Sequence, residues 1–275
     1  MPTINTNVAA IKARSSLDKV QRELDISIAR LSSGKRITRA HDDAAGSAIS
    51  GRMESQIRGL TSAIRQAKDG QSLVDTQEGA MQEIASILLR MRELAIASAS
   101  GIASSTDKGY LNTEMTALVA EINAISANTK FNDINILTGA SFKFYSDIDV
   151  AGTSVSVLGV DMAVTAVIVT AVSKITIAAQ AVANVQTVIG FIDAGITNVE
   201  NKRANLGALS SRFDHVIDNL TNVVANTEAS KSRIFDSDFA IETTQLTRNT
   251  VLQQAATSMV AQANVSKNSI LALVA

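Results

Sequence analysis

The fold is decided by residues 182–227, which read VANVQTVIGFIDAGITNVENKRANLGALSSRFDHVIDNLTNVVANT. Apolar side chains recur there at alternating intervals of three and four residues, and only Arg203, Ser210 and Thr227 interrupt them. The seam positions are Val182, Val185, Ile189, Ile192, Ile196, Val199, Arg203, Leu206, Ser210, Phe213, Ile217, Leu220, Val224 and Thr227. This spacing keeps one stripe facing a partner along the helix. Because the predicted helix is roughly 70 Å long, it needs partners of matching length.

The composition suits long helices packed through narrow seams. The 275 residues are 46% hydrophobic but only 3% aromatic, and they include one proline and no cysteine. Aliphatic side chains let helices approach closely, and scarce proline leaves long helices uninterrupted. A net charge of −1, without basic and aromatic clusters, predicts no nucleic-acid partner. The lack of cysteine excludes disulfides and thiolate metal sites.

Two more interior helices repeat the spacing of the first stretch. The longer one starts near His41-Asp42-Asp43, ends near residues 98–101, and is interrupted at Gln71, Glu78 and Arg92. Its seam consists of Ile57, Leu60, Ile64, Ala67, Val74, Met81, Ala85, Leu88 and Ala95. A shorter helix follows, for which Asp107 is the predicted cap. Its seam consists of Leu111, Met115, Leu118, Ile122 and Ile125.

The first and last segments predict thin amphipathic helices. The first runs from Ile4 to Leu31 and is closed by Gly34, while the last follows Asp236 or Asp238 as its cap. The last seam consists of Leu252, Ala256, Met259, Ala263, Ser266, Ile270 and Leu273. So little apolar surface does not offset the entropy of ordering a helix alone. We therefore expect these helices to pack on each other or on further copies of the chain.

Between about residues 141 and 176 the apolar period changes to two, as in the pairs Phe142 and Phe144, Ile148 and Val150, and Val155 and Val157. The apolar run 162–172 is too short to span a bilayer, so we predict no membrane span. The predicted fold is mainly α: a long antiparallel helical bundle or coiled coil, with paired terminal helices and a small β-hairpin region.

No motif for catalysis, phosphate binding or dinucleotide binding occurs in the sequence. The carboxylates beside His41 are typical of a helix start, and a metal site there is the alternative interpretation. The other histidine, His215, is predicted to lie at the surface or at the boundary of the seam. We therefore predict no enzymatic activity, no cofactor and no metal.

Several motifs together resemble bacterial flagellin. They cover roughly residues 1–140 and 175–275. The matching segments are Ile4–Asn7, Leu31–Ile37, Ala40–Ile49, Asp69–Gly70, Thr76–Ala80, Arg203–Ala208, Ser232–Ile234 with Asp236 and Asp238, Leu252–Ala255, Met259 and Gln262–Asn264. The combination is specific, and it distinguishes this family from other helical rods.

The resemblance implies a subunit that polymerises into the flagellar filament for swimming motility, with no catalytic role. It implies an extracellular location, reached by unfolded flagellar type III export without a cleaved signal peptide. Residues 1–40 and 235–275 would form the inner filament tube, and residues 41–234 a helical rod domain that includes the β region. The implied partners are further copies of the chain, a filament cap, junction proteins and an export chaperone. The expected assembly interface consists of Leu24, Ile28, Leu31, Leu252, Met259, Ala263, Ile270 and Leu273.

Residues 89–94 and Glu114 also resemble the segment that the flagellin-sensing Toll-like receptor recognises in some family members. This resemblance implies receptor binding through Arg90, Leu94 and Glu114. The alternative is that Arg90 and Glu114 make subunit contacts or a solvated ion pair. Two alternative functions are open at this point, a hook-filament junction protein and a ligand of the innate-immune receptor.

Overall fold

The computed structural model describes residues 6–137, 142–145, 154–157 and 182–274. In this part of the chain the helices are α1 (Val8–Ser33), α2 (Ala44–Ser98), α3 (Ser105–Asn128), α4 (Val182–Phe235) and α5 (Phe239–Val274). The strands are β1 (Lys130–Phe131), β2 (Ile134–Asn135), β3 (Phe142–Tyr145) and β4 (Ser154–Val157). The predicted mainly α fold, with long helices and a small hairpin region, is confirmed.

The chain forms two compact units. The first consists of Met1–Ile57 and Ala225–Ala275, and the second consists of Arg58–Val224. Helices α2 and α4 each contribute residues to both units, because neither helix is interrupted at the boundary. The first unit contains α1 and α5, whereas the second contains α3 and the strands.

The α4 seam is buried at every seventh residue within the second unit. The buried positions are Val185, Ile192, Val199, Leu206, Phe213 and Leu220. The intervening seam positions, such as Ile189 and Ile196, are half-buried. A repeat of seven is the signature of a coiled-coil stripe, so the predicted seam is confirmed as the face of α4 that enters the core.

Each polar interruption of the α2 seam pairs with a polar residue of α4. The pairs are Gln71–Asp214 (Nε2 to Oδ1, 2.8 Å), Glu78–Arg203 (Oε1 to NH2, 3.2 Å) and Arg92–Asp193 (Nε to Oδ1, 2.7 Å). The partner numbers fall along α4 as they rise along α2, so the two helices are antiparallel. Charged and amide pairs of this kind select one register between helices that apolar contacts alone would allow to slide.

Helix α3 begins with a capping box, in which Ser104 is the N-cap and Asp107 is the third helical residue. The Ser104 Oγ accepts a hydrogen bond from Asp107 N at 3.1 Å, and Asp107 Oδ2 accepts one from Ser104 N at 3.0 Å. Asp107 therefore takes part in the cap, but the prediction that it is the capping residue is wrong by three positions. The Ser104 hydroxyl, then its backbone N–H, holds the pKa of Asp107 below its ordinary value.

We expect Ser104→Ala to destabilise α3 by about 1 kcal/mol, because Asp107 N loses its acceptor and the Asp107 carboxylate loses the hydrogen bond from the Ser104 hydroxyl. Hydrogen exchange of the first α3 amides measures the loss. The pKa of Asp107, followed by NMR titration, should rise toward its ordinary value in the variant. Ser105→Ala is the matched control, and an equal effect from it would contradict the capping role.

A short antiparallel hairpin, formed by β1 and β2, follows α3. Asn132 and Asp133, with φ of 50° and 62°, turn β1 into β2. Both residue types tolerate this left-handed region. Directly after β2, the carbonyl oxygen of Ile136 accepts a hydrogen bond at 2.9 Å from Nε2 of the fully buried Gln77. This bond fixes the hairpin to α2.

Strands β3 and β4 form an antiparallel pair with Phe142 opposite Val157 and Phe144 opposite Val155. The Phe144 ring meets the Phe213 ring of α4 edge-on, with the centroids 5.8 Å apart and the planes at 85°. Within the second unit, this contact anchors the hairpin to α4. Of the predicted β region, Ile148 and Val150 and everything from residue 158 to 176 lie outside the described residues.

Candidate assembly surface on the terminal helix pair

Helix α1 is capped at both ends, and helix α5 is capped at its start. Asn7 Oδ1 accepts from Ala10 N at 3.0 Å at the start of α1, and Asp238 Oδ1 accepts from Ala240 N at 2.8 Å at the start of α5. Helix α1 ends at Gly34, whose φ of 68° is the predicted left-handed conformation. Of the two aspartates predicted as caps for α5, Asp238 is confirmed.

The connector after α1 is tied to the chain segment that precedes α5. Arg36 N donates to Phe235 O at 2.8 Å, and Ser237 N donates to Gly34 O at 3.0 Å. The Arg36 guanidinium also donates to Ile234 O, and the Lys35 ammonium lies 5.1 Å from the centre of the Phe235 ring. These bonds bring the end of α1 and the start of α5 together.

Helices α1 and α5 pack against each other as an antiparallel pair. Three hydrogen bonds join the two helices at points along the pair. They run from Asn7 Nδ2 to Ala263 O at 3.0 Å, from Gln253 Nε2 to Gln21 Oε1 at 2.5 Å, and from Arg30 NH1 to Glu242 Oε1 at 3.0 Å. The order of the partners along the two helices is reversed, as the predicted pairing of the chain ends requires.

The facing stripes of this pair combine aliphatic side chains with small and polar ones. On α1 the less exposed positions with heptad spacing are Ala10, Ala13, Leu17, Val20, Leu24, Ser27 and Leu31. On α5 they are Glu242, Leu246, Asn249, Gln253, Ala256, Val260 and Ala263. Ser27, Glu242 and Asn249 are buried. The aliphatic side chains of this seam, such as Leu24 and Leu246, provide apolar burial, and the hydrogen bonds of its polar side chains specify the pairing.

Further large apolar side chains lie on the exposed faces of the pair. On α1 these are Val8, Ile11, Ile26 and Ile28. On α5 they are Phe239, Ile241, Val251, Leu252, Met259 and Val265. Leu252 and Met259 are 44% and 65% exposed. They are seven residues apart, so they share one face of the helix. A surface so rich in exposed apolar side chains is typical of a protein contact.

The predicted assembly residues divide between these two faces. Leu24, Leu31 and Ala263 are half-buried in the seam of the pair, whereas Ile28, Leu252 and Met259 are exposed. Ile270 and Leu273 lie in α5 beyond the residues whose side chains the structure describes.

The polar side chains that hold the pair together do not stand out in the sequence. Ser27, Asn249, Gln253 and Glu242 were not candidates, because polar residues on an amphipathic helix are normally assigned to the solvent face. The available signal was their spacing. Glu242, Asn249 and Ala256 recur at intervals of seven, which is the same repeat that marked the apolar seams.

The residues implied in receptor binding lie in the second unit. The Arg90 guanidinium contacts Glu93 at 2.9 Å and Glu114 at 3.0 Å, and all three side chains are exposed. The hydrogen bonds to Glu93 and Glu114 raise the pKa of Arg90 above its ordinary value. Leu94 is 3% exposed and belongs to the hydrophobic core. The structure therefore brings Arg90 and Glu114 together at the surface and places Leu94 beneath it.

No group of three or more His, Asp or Glu side chains in the described part of the chain is arranged to hold a metal ion. At the alternative metal position, His41 Nδ1 lies 3.0 Å from Asp42 Oδ1. Asp42 accepts hydrogen bonds from Arg39 N, Thr38 Oγ1 and Thr38 N, which hold its pKa below the ordinary value. Asp43 Oδ1 accepts from Gly46 N at 2.8 Å, which confirms the predicted helix start.

None of the helices, as far as the structure describes them, is both long and apolar enough to cross a membrane.

Comparison with known proteins identifies the family. Residues 4–141 match the bacterial flagellin N-terminal helical region, and residues 189–274 match the bacterial flagellin C-terminal helical region. The chain is 39% identical over 273 residues to a flagellin of Halalkalibacterium halodurans, with 98% of each chain covered. It is 35% identical over 282 residues to the flagellar filament 31.3 kDa core protein of Treponema maltophilum, with 98% of this chain and 99% of that protein covered.

A solved structure supports the fold. A putative flagellar hook-associated protein from Vibrio parahaemolyticus superposes with a TM-score of 0.62 at 12% identity, covering 71% of this chain and 100% of that one. At this identity the likeness concerns the arrangement of helices alone. The two matched helical regions and the relatives of nearly equal length together place this chain in the bacterial flagellin family.

Proposed function

We propose that the exposed apolar face of the α1–α5 pair is the contact through which this flagellar filament subunit polymerises. One observation carries the proposal: outside the seam that joins the pair, large apolar side chains, including Leu252 and Met259, remain exposed. A helix pair that leaves so many large apolar side chains exposed gains stability when further copies of the chain cover them.

The proposal assigns a role to each part of the chain. Residues 1–40 and 235–275 form the inner tube of the filament, and residues 41–234 form the rod around it. Leu24, Leu31 and Ala263 pack within each pair, and Ile28, Leu252, Met259, Ile270 and Leu273 contact neighbouring copies. The contact is heterologous and does not close on itself, so repetition produces a helical filament rather than a ring.

Membership of the family also leads us to infer how the chain is exported and which proteins it meets. The chain leaves the cell by flagellar type III export without a cleaved signal peptide, and it meets an export chaperone, a filament cap and junction proteins. It performs no catalysis, and its function is mechanical. Recognition of Arg90, Leu94 and Glu114 by a Toll-like receptor stays a prediction, for which the exposed positions of Arg90 and Glu114 are the support.

Electron microscopy after addition of a kosmotropic salt tests the proposal, because such salts strengthen apolar burial. The full-length protein is compared with a version that lacks the residues after Asn249. We expect long filaments of uniform diameter from the full-length protein and monomers from the shortened one. Filaments from the shortened version would contradict the role of α5. Short oligomers alone from the full-length protein would favour a junction protein instead.

A further inference from the structure

Met259 differs from the other methionines whose side chains the structure describes. Met81 and Met91 are fully buried in the core of the second unit, and Met115 is 1% exposed there. Met53 is half-buried. Met259 is 65% exposed, so its thioether sulfur is the most accessible to small molecules in solution among these five residues.

An exposed thioether is a nucleophile toward peroxides. In the reaction with hydrogen peroxide, a sulfur lone pair attacks one peroxide oxygen, a sulfur–oxygen bond forms and the oxygen–oxygen bond breaks. The second oxygen leaves as water after proton transfer. Methionine is oxidised by two electrons to its sulfoxide, and the peroxide is reduced to water. A flexible apolar side chain thereby becomes a polar one.

We propose that Met259 is an oxidation-sensitive modification site through which hydrogen peroxide controls polymerisation of the subunit. This inference rests on the proposed assembly function, because it requires that the face of Leu252 and Met259 is buried between copies. The sulfoxide oxygen is a strong acceptor, and burying it without a donor is unfavourable. Since Met259 is exposed in the single chain, oxidation leaves the fold of the subunit intact and acts only on the contact.

The same geometry makes oxidation depend on the state of assembly. In the free subunit the sulfur is accessible, whereas in the filament neighbouring copies cover it. Oxidation therefore blocks the addition of new subunits, and an existing filament is protected. The modification is reversible, because methionine sulfoxide reductases return the thioether.

The test compares the wild type with Met259→Leu, which is apolar and cannot form a sulfoxide, and with Met259→Gln, which places a comparable polar group at the position. Each full-length monomer is treated with hydrogen peroxide or left untreated. Oxidation at residue 259 is measured by peptide mass spectrometry, helix content by circular dichroism, and the critical concentration for salt-induced polymerisation by sedimentation.

We expect peroxide to raise the critical concentration of the wild type by about tenfold or more, with unchanged helix content. Met259→Leu changes a residue of the contact, so its critical concentration is compared only with its own untreated value, and peroxide should leave that value unchanged although the other methionines remain oxidisable. Met259→Gln should polymerise poorly even without peroxide. Treatment of the oxidised wild type with sulfoxide reductase should restore its polymerisation. Preformed filaments should acquire sulfoxide at residue 259 more slowly than monomers.

Two results would overturn the inference while the assembly function stands. One is normal polymerisation of a wild type that mass spectrometry shows to be oxidised at Met259. The other is an equal loss of polymerisation in peroxide-treated Met259→Leu, which would assign the damage to another residue. Failure of the untreated wild type and of untreated Met259→Leu to polymerise would instead overturn the proposed function and, with it, this inference.

Discussion

Leu252→Asp is expected to abolish filament formation while the subunit keeps its helices. Leu252 is 44% exposed in the single chain, so the new carboxylate stays hydrated there and affects folding little. In the proposed filament the same position is covered by a neighbouring copy. Burying an unpaired charge costs several kcal/mol, and about 3 kcal/mol per contact corresponds to about a hundredfold loss in the association constant. Sedimentation of salt-induced polymer and electron microscopy measure the effect.

Leu252→Met is the matched control for this substitution, because it keeps an apolar side chain of similar volume. We expect it to polymerise close to the wild-type critical concentration. Circular dichroism of the Leu252→Asp monomer confirms that the helices are present. Filaments of normal length from Leu252→Asp would refute the assignment of this face to the contact between copies.

The interior of the rod could be predicted from the sequence because its signal is repetitive. Val185, Ile192 and Val199 belong to a pattern that continues for many turns, so single substitutions do not obscure it. Helix ends were predicted where one residue determines the geometry, as at Gly34 with its left-handed φ of 68°. The capping of α3 was misplaced, because Ser104 and Asp107 both fit a helix start and only their reciprocal bonds distinguish the two roles.

The polar part of the packing could not be predicted. The interruptions at Gln71, Glu78 and Arg92 were recognised, but their partners on α4 depend on the register of two helices, which is a tertiary property. The burial of Glu242 could not be predicted for a related reason. A buried carboxylate needs a partner, and Glu242 has one in Arg30, which lies on the other helix. Leu94 is the opposite case, an apolar residue that the resemblance assigns to a surface motif. In the structure its side chain is buried in the core.

Phe213→Ala is expected to cause the largest loss of stability in the second unit. The ring is fully buried on α4, and it contacts both α2 and the Phe144 ring of the hairpin. Truncation of a buried phenylalanine costs about 3–5 kcal/mol, because it removes apolar contacts and leaves a cavity. Hydrogen exchange of α4 amides near residue 213 should accelerate accordingly, and β3 should lose protection with it. Unchanged exchange in β3 would show that the hairpin is held by other contacts.

Gly70 explains how the Phe213 ring fits so closely against α2. A Cβ built on Gly70 would lie 2.7 Å from Phe213 Cζ, whereas one built on the exposed Gly79 of the same helix has no neighbour within 4 Å. Alanine stabilises a helix interior by about 1 kcal/mol relative to glycine, and overpacking a core costs about 1–3 kcal/mol. We therefore expect Gly79→Ala to raise the free energy of unfolding and Gly70→Ala to lower it. Chemical denaturation measures both changes. If the ring is the cause, Gly70→Ala combined with Phe213→Leu loses less than the sum of the single losses, because the smaller side chain leaves room for the added methyl group.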